Sequence, residues 1–230
     1  MPNRLVHVLS CAFGALALAA CGLIGEENKA AEVMPRPTIS LTADGPGGCT
    51  ILLNGAPVTE TALRDDLIMR MASYQRAMDG YMVHTGIPAP YPKIDAPTDM
   101  RFACVARILA PIADAEMPVF EFSRAGVGSR VEVGVLGTVS SAIDVIAVAA
   151  NGGMTFNGEP IDAAALRQRV ASVGTARIVA PAPDATVGKV YEVLFLLSTS
   201  NTSRPALALP GAIPSSPGAP MQDANAAAPR

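Results

Sequence analysis

The segment Asn54-Gly55-Ala56-Pro57 occurs twice in this chain, the second time as Asn157-Gly158-Glu159-Pro160. Leu63-Arg64 follows the first copy and Leu166-Arg167 follows the second, so every matched residue is displaced by 157 − 54 = 103 positions. Asn-Gly dipeptides mark turns, so each Asn-Gly-x-Pro segment is predicted to be a turn. A self-similar pair at fixed spacing indicates two copies of one structural unit.

The sequence before and just after each motif predicts the same order of elements. Two short apolar strands precede the motif, at 38–42 and 49–53 in copy one and at 143–149 and 154–156 in copy two. A helix follows in each copy. Thr59 and Asp162 are its predicted N-caps, because their side-chain oxygens accept from free backbone amides. Each helix is predicted to carry an apolar stripe on one face, formed by Leu63, Leu67 and Met71 in copy one and by Leu166, Val170 and Val173 in copy two.

The second half of each copy matches at a spacing of 85 residues. A third strand is predicted at 91–94 and 176–180, a second helix capped by Asp99 or Asp184, and a closing strand at 119–122 and 206–209. We therefore predict an α+β fold with two tandem ββαβαβ domains, residues 38–125 and 126–209. Each is expected to be a mixed sheet with two helices on one face.

The change of spacing, 103 − 85 = 18, indicates about 18 additional residues in copy one. They fall between positions 71 and 90 and include several methionines and tyrosines. A longer helix with a loop packed on its own domain is the preferred interpretation. An adaptable contact surface, which methionine-rich segments favour, is the alternative.

The N-terminus is predicted to be an export signal rather than part of the fold. Residues 5–20 are apolar but short for a membrane-spanning helix, which needs about 20 residues. Leu18-Ala19-Ala20-Cys21 resembles a bacterial lipoprotein box, so residues 1–20 are predicted to be removed and Cys21 acylated. An ordinary secretory cleavage site is the alternative. Residues 21–37 are expected to be a lipidated tether, and Gly22 favours the outer membrane.

Composition excludes several functions. The processed chain would carry 16 basic and 20 acidic residues, a net charge of −4, and no basic patch for nucleic acid. His84 would be its only histidine, and the sequence has no recognisable nucleophile, phosphate-loop or metal motif. We expect no enzyme activity, no cofactor and no metal. The Pro- and Ala-rich residues 210–230 are predicted to be a disordered tail.

Two cysteines would remain free to pair after processing, Cys49 and Cys104. Their counterparts in copy two are Gly152 and Lys189, so both cysteines are present in one copy and both absent from the other. This co-occurrence in an oxidising compartment predicts a disulfide. A metal site or a reactive thiol is the alternative, although a zinc site needs about four ligands.

The arrangement resembles the periplasmic domain of the ExbD/TolR biopolymer-transport family. The resemblance rests on the two NG-x-P motifs, the leucine of the following helix at Leu63 or Leu166, and Phe102 near the start of the second helix of copy one. It covers about 160 residues as two copies. It implies a module that contacts Tol/Ton-type proteins or peptidoglycan, and a dimer-like packing of the two copies within one chain.

One departure from that family changes the implied function. Family members carry an N-terminal transmembrane helix with an aspartate that takes part in proton-driven motion, and this chain has no such segment. The expected function is a lipid-anchored, periplasm-facing scaffold or binding module involved in envelope transport. An enzyme with a polar cleft between the copies and a carrier with an apolar cavity inside one copy are the alternatives.

Overall fold

A computed structural model describes residues 35–45, 48–79, 89–124, 128–136, 144–171, 177–200 and 204–211. The strands are β1 Thr38–Ala43, β2 Cys49–Leu53, β3 Ala56–Val58, β4 Lys93–Ala96, β5 Val119–Arg124, β6 Arg130–Leu136, β7 Asp144–Val148, β8 Met154–Phe156, β9 Glu159–Ile161, β10 Arg177–Pro181 and β11 Ala206–Ala208. The helices are α1 Glu60–Asp79, α2 Phe102–Asp114, α3 Ala163–Ala171 and α4 Val187–Thr199.

The strands form one mixed sheet in the order β3-β2-β1-β4-β5-β6-β11-β10-β7-β8-β9. Five strands lie on each side of β6, and the order of equivalent strands on one side mirrors the order on the other. Strand β6 is antiparallel to β5 and parallel to β11. The predicted α+β class with a mixed sheet is confirmed. The expectation of two separate sheets is wrong, because β6 pairs with the closing strands of both copies.

A single hydrophobic core extends across both copies. In β6 the side chains of Val131, Val133 and Val135 are buried while Arg130 and Glu132 are exposed, which is the alternation of a sheet with one packed face. The predicted helix stripes are buried in the same core as far as the structure describes them, at Leu63, Leu67, Met71, Leu166 and Val170. Val173 lies outside the described residues.

Three strands were not predicted from the sequence. β3 and β9 contain only three residues each and begin directly after the Asn-Gly turn, where a loop leading to the helix was expected. β6 is long, but it has no counterpart in the repeat, so self-similarity gave no signal for it. The remaining predicted strands are present, and their boundaries match the prediction or differ from it by one or two residues.

The first helices begin as predicted. The Thr59 Oγ1 atom accepts a hydrogen bond from the Ala62 amide at 3.1 Å, and Asp162 Oδ1 accepts from the Ala165 amide at 2.7 Å. Helix α1 is described over 20 residues and α3 over 9. Part of the insertion in copy one is therefore additional helix, and its remainder at 80–88, including His84, lies outside the described residues.

Candidate functional site: the seam between the copies and the groove of copy two

The Asn-Gly motifs form turns that only a few residue types adopt. Asn54 and Gly55 have φ of 50° and 86°, and Asn157 and Gly158 have φ of 51° and 90°. Two successive positive φ values define a type I′ turn. The asparagine side chain also bonds to the first strand of its copy, β1 or β7. Asn54 Oδ1 accepts from the Thr38 amide at 3.0 Å, and Asn157 Oδ1 accepts from the Val145 amide at 2.8 Å.

The prolines of the motif lie at the two edges of the sheet. Pro57 is opposite Leu52 and Pro160 is opposite Thr155, in each case one pair beyond the residues that flank the turn. At that position a backbone N–H points away from the neighbouring strand. Proline has no N–H, so the outer edge presents no donor there, which is a known protection of edge strands. Recruitment of a partner strand to these edges, which exposed edges permit elsewhere, is therefore disfavoured.

We expect Asn54→Ala and Asn157→Ala each to lower the free energy of unfolding by about 2 kcal/mol. Alanine at positive φ costs about 1–2 kcal/mol, and the lost hydrogen bond about 1 kcal/mol. Urea unfolding measures the change. Asn→Gly at the same positions keeps the permitted φ and is expected to lose only the hydrogen-bond contribution. Equal losses in the Ala and Gly variants would show that φ is not the cause.

Backbone hydrogen bonds exchanged between the copies define the seam. The first amides of an α-helix have no partner within the helix. Here each copy's loop supplies carbonyls to the second helix of the other copy, and Arg101 and Thr186 form an antiparallel bridge between the two loops. The four bonds are Phe102 N to Ala185 O at 2.7 Å, Ala103 N to Pro183 O at 2.9 Å, Val187 N to Met100 O at 2.8 Å and Gly188 N to Thr98 O at 2.8 Å.

The exchange is reciprocal, because every donor and acceptor in one copy is displaced by 85 residues from its equivalent in the other. Met100 corresponds to Ala185, and Phe102 to Val187. The two copies are thus related by a local two-fold arrangement at the ends of α2 and α4. Stability at this seam comes from satisfying buried amides that would otherwise remain unpaired.

The seam overturns the predicted caps of the second helices. Asp99 and Asp184 were expected at the N-cap position, but the N-caps are Arg101, which makes no side-chain cap bond, and Thr186, whose Oγ1 accepts from the Lys189 amide at 3.4 Å. The helices begin later because the opposite copy's carbonyls satisfy their first amides. Asp99 is exposed, and Asp184 lies 3.5 Å from Arg101 in an exposed ion pair.

A groove of about 310 Å³ lies beside the seam. Its walls are apolar, formed by α2, the ends of β10 and β11, and the segment that follows β11. Of the described residues that line it, none has a titratable side chain: Phe102, Ala106, Ala180, Pro181, Pro183, Ala208, Leu209, Pro210 and Gly211. Within this groove, the described lining residues offer no acid or base for a reaction.

In copy one a disulfide ties the β1–β2 hairpin to α2. Cys49 and Cys104 are bonded, with their Cα atoms 6.1 Å apart, which supports the sequence prediction. The adjacent Arg107 donates from Nε to Glu60 Oε1 at 2.6 Å and from Nη1 to the Cys49 carbonyl at 3.1 Å. The disulfide and the Arg107 bonds connect the hairpin, α1 and α2.

Copy two has a groove at the equivalent place. Gly152 and Lys189 replace the cysteines, and Ala163 and Glu192 replace Glu60 and Arg107. The structure places Gly152 against the Lys189 side chain: a Cβ at Gly152 would lie 3.3 Å from Lys189 Cδ. Between the β7–β8 hairpin, α3 and α4 there remains a space of about 350 Å³.

Asp66 of α1 and Asp95 of β4 both have structural partners. Asp66 pairs with Arg70 one helical turn away at 2.6 Å, and the Ser123 hydroxyl donates to Asp95. In the described part of the chain, no three His, Cys, Asp or Glu side chains are placed to hold a metal ion. One buried charge stands out. Burial lowers the pKa of Arg177 while nearby Asp144 raises it, and its Nη2 donates to the Val170 carbonyl of α3 at 2.6 Å.

Other sequence predictions lie outside the described residues. These are the export signal at 1–20, the acylation site Cys21 and nearly all of the tether and of the tail. Among the helices that the structure describes, none combines the length and apolar character needed to span a bilayer.

Comparison with known proteins gives no match. No family model, curated protein or solved structure is significantly similar to this chain.

Proposed function

We propose that this protein is a cell-envelope lipoprotein that acts as a non-enzymatic scaffold or binding module. Acylated Cys21 would hold residues 38–125 and 126–209, two modules resembling the ExbD/TolR periplasmic domain, at a membrane on its periplasmic side. The partners would be Tol/Ton-type envelope proteins or peptidoglycan. The function would belong to envelope transport without proton conduction, because the apolar residues 5–20 contain no aspartate.

The observation that carries this proposal is the reciprocal seam. Helices α2 and α4 exchange capping bonds in a local two-fold arrangement, and family members form dimers between chains. A pseudo-dimer inside one chain supports the resemblance independently of the sequence motifs. Strand β6 also joins the two copies in one sheet, so that surfaces on both would meet a partner together.

The described surfaces favour binding over catalysis. An enzyme site between the copies would need groups that exchange protons at the reacting centre, whereas the seam groove is lined by apolar side chains in the described residues. A carrier would need an enclosed apolar cavity inside one copy. The apolar groove lies instead at the junction, and the groove of copy two has charged walls.

We expect Cys21→Ser to move the protein from the membrane fraction to the soluble fraction. A triacylated cysteine provides several acyl chains, and stable anchoring takes more than one. Fractionation of cells expressing the wild type and the variant measures this. Cys11→Ser, at a cysteine of the predicted signal, is the matched control and should not change fractionation. A Cys21→Ser protein that stays with the membrane would contradict the anchoring proposal.

Binding is tested with purified residues 21–230 carrying Cys21→Ser, produced without the signal. Co-sedimentation with isolated peptidoglycan and pull-down of solubilised envelope proteins should recover peptidoglycan or a Tol/Ton-type protein. Failure of both would contradict the scaffold proposal, whatever the outcome for Cys21.

A further inference from the structure

We propose that the groove of copy two binds a short acidic peptide segment of a partner protein, with a carboxylate between Arg167 and Lys189 and a neighbouring apolar side chain against Phe195. This inference rests on the proposed binding function and locates its site.

Comparison of the copies identifies the groove as a specific difference. In copy one, the Cys49–Cys104 disulfide and the Arg107–Glu60 pair link the hairpin to both helices. In copy two, the same positions leave about 350 Å³ open between the hairpin, α3 and α4. The two copies, built on one plan, therefore differ in how the hairpin is linked to the helices at this place.

The charges of the groove favour an anionic ligand. Arg167 and Lys189 supply two cations to its walls and Glu192 one carboxylate, which leaves a net charge of +1. Glu192 Oε2 lies 3.0 Å from Lys189 Nζ. Arg167 is exposed and makes no ion pair with any described residue, so it is available to a ligand. This positive site lies on a chain whose net charge is −3, which makes a carboxylate ligand the complementary choice.

The apolar wall favours a peptide over a free inorganic anion. Phe195 is 42% exposed and is one of three large hydrophobic side chains that the described surface leaves this open; the others, Ile68 and Met69, lie on α1. Leu196 and Met154 continue the wall. An anion alone would leave this surface in water, whereas an aliphatic or aromatic residue beside the carboxylate would cover it and gain the free energy of burying apolar surface.

The test uses ¹⁵N-labelled residues 21–230 carrying Cys21→Ser. Capped tripeptides are the probes. Leu-Glu-Phe is expected to shift the amide signals of Lys189, Phe195 and Thr199 in a saturable titration. Leu-Gln-Phe has the same shape without the charge and should bind at least fivefold more weakly. Sodium acetate should produce no saturable shift at concentrations up to 10-fold higher than that of Leu-Glu-Phe.

Charge reversal at equivalent positions of the two copies supplies the matched control. Arg167→Glu should weaken Leu-Glu-Phe at least tenfold, and Arg64→Glu, displaced by 103 residues in copy one, should leave the affinity unchanged. Arg167 is exposed and Arg64 is partly exposed, so both variants are expected to fold, which the spectra check directly. Equal binding of the Glu and Gln peptides, equal effects of the two variants, or shifts confined to the seam groove would overturn the proposal.

Failure of the groove proposal can be distinguished from failure of the proposed scaffold function. If Arg167→Glu still captures the same envelope partner as the wild type, the groove is not the site and the scaffold function stands. If the wild type itself captures no envelope partner or peptidoglycan, the proposed function fails independently of the peptide titration.

Discussion

Replacing both disulfide cysteines, as Cys49→Ser with Cys104→Ser, is expected to lower the free energy of unfolding by about 4 kcal/mol. The bond spans 55 residues of chain, and the chain-entropy estimate for closing a loop of that length in the unfolded state is about 4 kcal/mol. The loss is large beside the 5–15 kcal/mol that is typical of a native domain. Urea unfolding of oxidised wild type and of the double variant measures it.

Reduction provides the control for this prediction. Wild type in excess dithiothreitol should unfold like the double variant, because both lack the bond while the first retains both sulfur atoms. The variant itself should not respond to the reductant. A reduced wild type as stable as the oxidised protein would contradict the stabilising role of the Cys49–Cys104 bond.

Gly188→Val is expected to destabilise the protein by about 3 kcal/mol by forcing the seam apart. A Cβ at Gly188 would lie 3.0 Å from the Thr98 carbonyl oxygen and 3.4 Å from Thr98 Cβ. Overpacking costs about 1–3 kcal/mol, and the displaced bond from the Gly188 amide about 1 kcal/mol more. Urea unfolding measures the total loss.

Hydrogen exchange separates a seam effect from a local one. If the seam is reciprocal, Gly188→Val in copy two should also accelerate exchange of the Phe102 and Ala103 amides in copy one. Gly128→Val is the matched control, because a Cβ there meets nothing within 4 Å. Exchange that changes only around position 188 would contradict the reciprocal arrangement.

The sequence predicted those features that depend on local physics. The Asn-Gly turns, the caps Thr59 and Asp162, and the buried stripe around Leu63 and Leu67 each follow from the preferences of a few adjacent residues. The disulfide was predicted without geometry, because the repeat showed that Cys49 and Cys104 occur together. In these cases a second copy supplied an internal comparison.

The features that the sequence did not predict are set by contacts between the copies. Strand β6 pairs with β5 and β11, whose positions in the sheet depend on the whole chain, and no repeat partner marks it. Asp99 and Asp184 have the sequence pattern of N-caps, but carbonyls from distant residues replace them. The groove of copy two also escaped prediction, because it arises where Gly152 and Lys189 replace a bonded pair.

Crosslinking in the protein's own cells, followed by purification of the acylated chain and mass spectrometry, tests the scaffold proposal most directly. The lipid anchor and both copies are then present together, and Cys21→Ser serves as the unanchored control. We predict crosslinks from residues 38–209 to Tol/Ton-type envelope proteins or to peptidoglycan fragments, reduced in the control. Crosslinks to neither, in a protein that fractionates with the membrane, would contradict the proposed function.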